Sequence, residues 1–146
     1  METTQTTVET KIQQLGALLN VPVGEIERRD YDGAFIVGNK EYLVLTYDEA
    51  DAAARDYILD SLWAFNPDFL APYVDYDGDM DALIDTMRAA QEKLCESFNP
   101  IALALVKPRL EDVIRDAICA DGRGHFLAGY DLKEIEMGDL FVYRVN

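Results

Sequence analysis

An α+β fold is what the sequence predicts, and three observations carry that prediction. Apolar residues recur at helical spacing over 6–19, 46–65, 80–98 and 108–121. Between 25 and 46 they fall instead into three short runs, separated by Asp32-Gly33 and Gly38-Asn39, which are residues of tight turns. A last pair of runs, 132–137 and 140–145, flanks Gly138-Asp139 and reads as a hairpin. The expected architecture is a small antiparallel β meander and a C-terminal β-hairpin packed with four to five helices. With 146 residues, no internal repeat and no linker, a single α+β domain over 1–146 is expected.

The first helix places Val8, Ile12, Leu15 and Leu19 on one face, and Thr6 with Glu9 has the spacing of a capping box. Asn20, Pro22 and Gly24 end it. Strands are expected over 25–30, 34–37 and 41–46. Thr46 and Glu49 repeat the capping-box spacing, with Asp48, Glu49 and Asp51 placed where a helix dipole favours anions. The helix they open runs to residue 65, with Ala50, Ala53, Ala54, Tyr57, Ile58, Leu62 and Phe65 inward and Trp63 as core at its end. Pro67 and Pro72 leave room only for a short turn around Phe69 and Leu70.

An acidic loop, 75–79, leads to a helix over 80–98 for which Asp79 is the expected N-cap. Its stripe is Met80, Leu83, Ile84, Met87, Leu94 and Phe98. Asn99-Pro100 reads as a cap and N1 proline opening a short apolar helix to Val106. Pro108 opens another, with Leu110, Val113, Ile114, Ala117 and Ile118 buried, and Gly122 is placed to stop it in the left-handed conformation. Cys95 and Cys119 form no CxxC pair, and on predicted helices they read as free buried thiols.

Charge narrows the function. Twenty-eight acidic against thirteen basic residues give a net charge of −15. Such a chain repels phosphates, so direct nucleic-acid binding and attachment to anionic membranes are not expected. The longest apolar run, 101–106, is too short to span a bilayer. The first residues show no basic-then-apolar signal, so a cytoplasmic protein is expected.

The acidity concentrates in the middle of the chain. Asp48, Glu49, Asp51, Asp56, Asp60, Asp68, Asp75, Asp77, Asp79, Asp81 and Asp85 face a single basic residue, Arg55, giving −10 over 38 residues. Duplex DNA carries roughly one charge per 1.7 Å of axis. Carboxylates on two helices and their joining loop can approach that density for a basic groove. The bland account of the same residues is two solvated amphipathic helices with acid-rich starts.

Two motifs invite chemistry. In Asp75-Tyr-Asp77-Gly-Asp79-Met-Asp81, Asp77 and Asp79 fall on calcium-loop ligand positions when counted from Asp75. Met80 then takes the place of the required glycine and Thr86 that of the bidentate glutamate, so no metal site is expected. Asp121-Gly-Arg-Gly-His125 joins a guanidinium to the chain's sole imidazole. Arg123 suits clamping an anion and His125 suits moving a proton. Yet the loop follows a helix C-terminus, where the dipole opposes an anion, and it matches no phosphate-binding glycine pattern. A helix stop leading into a strand accounts for both glycines and leaves Arg123 and His125 as solvated loop side chains. No HExxH, CxxC or GxSxG motif occurs, so no catalytic residue and no cofactor is assigned.

Two stretches carry a resemblance. Ser61-Leu-Trp-Ala-Phe-Asn66, after the Asp- and Ala-rich helix, resembles a segment of small acidic bacteriophage and prophage proteins of unknown activity. Asp121-Gly-Arg-Gly-His-Phe-Leu, with the Tyr130-Asp131 turn and the ending Tyr143-Arg-Val-Asn146, resembles their C-terminal segment. The resemblance implies a mobile-element origin in a bacterial host cell, and no reaction. Two function classes follow. The first is a non-catalytic protein that binds another protein, one with a basic surface, as a nucleic-acid-mimicking inhibitor of host defence or DNA metabolism. Its binding residues are Asp48, Glu49, Asp51, Asp56, Asp60, Asp75, Asp77, Asp79, Asp81 and Asp85. The alternative is an enzyme or small-ligand module built on Asp121, Arg123 and His125.

Overall fold

The computed structural model describes residues 8–29 and 33–146. Thr6 of the first capping box, Asp30 of the first strand and Asp32 of the first turn lie outside the described residues. Along the chain run α1 (Val8–Leu19), β1 (Ile26–Arg28), β2 (Ala34–Val37), β3 (Lys40–Thr46), α2 (Tyr47–Ser61) and α3 (Pro67–Leu70). There follow α4 (Met80–Leu94), α5 (Asn99–Val106), α6 (Leu110–Asp121), α7 (Arg123–Leu127), β4 (Ile135–Met137) and β5 (Leu140–Arg144). The fold is α+β, as the sequence predicts. Contacts divide it into two compact units, Met1–Ala54 with Asp121–Asn146, and Arg55–Ala120.

The first unit holds the whole sheet, in the order β1-β2-β3-β5-β4, with every neighbouring pair antiparallel. Meander and hairpin are therefore one sheet, joined where Val44 of β3 faces Val142 of β5. Strand side chains alternate between faces, so Ile26, Phe35, Tyr42, Val44, Leu140 and Val142 share one side. These residues are buried together with Leu15 of α1, and Val8, Ile12 and Leu19 of the same helix pack around them. That is the apolar face read from the helix spacing. Each such side chain removed from water contributes roughly 1.5–3 kcal/mol, an upper estimate because unfolded chains also bury some surface.

Gly33 shows why its position excludes a side chain. Its φ is +84°, and a Cβ there would lie 2.7 Å from Leu45 Cδ2 and 3.1 Å from the Val44 carbonyl oxygen. The hairpin strand expected over 132–137 starts only at Ile135. Leu132 has a φ of +61°, and its N–H donates to the Ala128 carbonyl at 2.7 Å, a bend that no strand accommodates.

The second unit is helical. Its buried residues include Ile58, Leu62, Leu70, Ala71, Met87, Phe98, Ala102, Val106, Val113, Ile114 and Ala117. Leu110 and Ile118, expected buried, are half-buried. Asp79 caps α4 as expected, its carboxylate accepting from the Asp81 N–H at 3.1 Å. Several expectations are corrected. α2 ends at Ser61, and Leu62–Ala64 tighten into a 3-10 turn that leaves Trp63 half-buried. Tyr57 is 50% exposed, because the buried stripe of α2 steps by four through Ala50, Ala54, Ile58 and Leu62 and passes it by.

The helix over 80–98 is broken as well. Cys95 has a φ of +51°, which a right-handed helix cannot contain, and Cys95–Phe98 form a separate 3-10 turn. Met80 lies exposed in the first turn of α4. Asn99 is no cap, since its own backbone is helical. Its side chain instead accepts from the Trp63 N–H at 3.0 Å and donates to the Leu59 carbonyl at 2.8 Å, closing the end of α2. The asparagine that caps is Asn66, which accepts from the Asp68 N–H at 2.9 Å ahead of Pro67. Both cysteines are free and exposed rather than buried, because each sits off the apolar stripe of its segment.

Candidate functional site

The glycine-rich segment begins where α6 stops. Gly122 has a φ of +83° and a ψ of +155°, the extended positive-φ region rather than the left-handed one, and it leads into α7 rather than a strand. Arg123 opens that short helix and is 8% exposed, so it is not a solvated loop side chain. Its Nε donates to Glu134 Oε2 at 2.8 Å and its Nη1 to the Tyr47 carbonyl at 3.2 Å. The guanidinium carbon sits 4.4 Å from the Tyr47 ring centroid and 4.6 Å from that of Phe141. Those two rings meet edge to face at 6.0 Å.

The Tyr143 hydroxyl donates to the same Glu134 oxygen that Arg123 uses. Burial first, and that hydrogen bond second, push the Tyr143 hydroxyl far above the ordinary tyrosine range. Burial alone would lower the Arg123 pKa, but the Glu134 hydrogen bond and the surrounding acceptors hold it above its usual value. Arg123 thus ties the chain before β4 to the sheet. Gly124 serves the same contact, since a Cβ there would lie 2.7 Å from the Leu132 carbonyl oxygen and 2.8 Å from the Glu134 nitrogen.

His125 is exposed, and its ring stands edge-on to Phe126 at 5.0 Å. Asp121 is exposed at the end of α6. Arg123 and His125 lie two positions apart on one helix, a spacing at which side chains do not face each other. The three residues named for a ligand site therefore do not converge.

The acidic residues divide between the units. In the first, Asp48, Glu49 and Asp51 lie exposed in the opening turns of α2. The expected capping box is present in both directions, Thr46 N–H to Glu49 Oε1 at 2.9 Å and Glu49 N–H to Thr46 Oγ1 at 3.2 Å. Glu49 also accepts from Lys11 Nζ at 2.8 Å, and Lys11 is only 3% exposed. Burial raises the Glu49 pKa, but the Lys11 and Thr46 hydrogen bonds outweigh it and hold the carboxyl below its usual value. Glu49 is therefore a structural carboxylate. Lys11 gave no signal in the sequence, where a lysine beside a helix stripe reads as solvated.

In the second unit Asp56, Asp60, Asp75, Asp77, Asp79, Asp81 and Asp85 are all exposed. Its arginines are engaged elsewhere. Arg55 meets Glu111 through two hydrogen bonds, one of 2.6 Å, and Arg88 lies 3.8 Å from Asp68. Arg109 pairs with Asp112, and Arg115 with Asp112 and Asp116. Among the described residues, no ion pair reaches Asp75, Asp77, Asp79, Asp81 or Asp85. Asp81 and Asp85, one helical turn apart, share a side of α4.

The base of this acidic loop is fastened. The Tyr73 hydroxyl donates to Asp116 Oδ2 at 2.5 Å, and the Arg109 guanidinium lies 4.9 Å above the Tyr73 ring. Hydrogen bonds from Tyr73 first and Arg115 second, against the effect of burial, hold the Asp116 carboxyl below its usual range. Tyr76, 43% exposed, folds over Gly78, where a Cβ would lie 2.5 Å from its hydroxyl. Among the described residues no three His, Cys, Asp or Glu side chains come together as metal ligands, and no helix is long and apolar enough to cross a membrane. Set against protein-family models, curated proteins and solved structures, the chain matches none.

Proposed function

We propose that the protein acts by binding another protein, presenting the carboxylates of residues 75–85 to a basic surface in the manner of a nucleic acid. One observation carries this reading: five exposed aspartates of that segment have no cationic partner among the described residues, while the arginines of the same unit pair with other acids. Fixed, unneutralised charge of one sign steers a complementary partner and raises its rate of encounter. A partner that grips phosphates supplies the matching charge. Inhibition of a host defence or DNA-metabolism protein by a phage- or prophage-encoded product is the role this chemistry fits.

Less supports an enzyme or ligand reading, since Arg123 is engaged with Glu134, Tyr47 and Phe141. The test is capture of partners from a bacterial lysate on immobilised protein at low and high salt. The reading expects basic nucleic-acid-binding proteins that release as salt rises. Capture that is insensitive to salt, or no capture at all, counts against it.

A further inference from the structure

We draw no further inference here: the strongest candidate, the acidic loop of residues 75–79 with the exposed Tyr76 at its centre, is a cluster of carboxylates that no second feature of the structure ties to a ligand.

Discussion

Arg123 and Glu134 meet at 2.8 Å with the guanidinium against the Tyr47 and Phe141 rings, and this contact ties α7 to the chain just before β4. Removing the guanidinium leaves Glu134 and the buried Tyr143 hydroxyl without their cation. Arg123→Ala is expected to cost about 2 kcal/mol, the range of hydrogen bonds to charged groups, moderated because Glu134 keeps part of its carboxylate in water. Arg123→Lys, which keeps the charge and loses the planar stack, is expected to fall between. His125→Ala is expected to stay within about 0.5 kcal/mol of the parent. Urea melts of the three variants check the order. A silent Arg123→Ala would contradict the clamp.

The glycines around that arginine give a sharper comparison. Gly122→Ala is expected to cost about 1–3 kcal/mol, because its backbone region belongs almost solely to glycine. Gly124→Ala is expected to cost about 1–3 kcal/mol for a different reason, a methyl group driven into the backbone of residues 132–134. Gly24→Ala serves as the control. It has no atom within 4 Å of the new Cβ and no positive φ, so thermal melting should move little or upward.

Much of this was legible in the sequence, and the failures have physical causes. Thr46 with Glu49, and Asp79 before α4, announce helix starts because capping chemistry is local. The face formed by Val8, Ile12, Leu15 and Leu19 shows in spacing alone. The pairing of β3 with β5 is different, since its partners lie almost a hundred residues apart and no local pattern records them. The burial of Lys11 and Arg123 was hidden for the same reason. Lys11 meets Glu49, 38 residues on, and Arg123 meets Glu134, 11 residues on, and the Tyr47 carbonyl, 76 residues back, so residue type argued for solvent and tertiary contact decided otherwise. Cys95 shows the limit of periodicity, because an apolar stripe can continue in sequence past the point where the backbone has turned.

Glu49 sets a pH dependence. Its folded pKa is depressed by Lys11 and Thr46, so its contribution is present in full above the unfolded carboxylate value of 4.5 and is lost as pH falls through the folded value. Acid also strands Lys11 as a buried cation without its partner. Wild type and Glu49→Gln are expected to differ in stability at neutral pH and to converge in acid, as read from urea midpoints across that range. A difference that stays constant with pH would remove the Lys11–Glu49 pair from the account.

The isolated protein is expected to leave DNA and RNA unshifted in a gel at physiological salt. Its net charge is −15, and most of the described arginines already face carboxylates. A mobility shift with micromolar affinity would contradict the reading of the charge.

The most direct test of the central claim measures association of a captured partner with the parent protein and with a variant carrying Asn at positions 75, 77, 79, 81 and 85. Asparagine caps helices as well as aspartate, so the start of α4 should survive and circular dichroism should match the parent. The association rate is expected to drop by about tenfold or more at low ionic strength and its salt dependence to flatten, with dissociation changing less. A folded variant that binds at the parent rate, with the same salt dependence, would place the binding surface elsewhere.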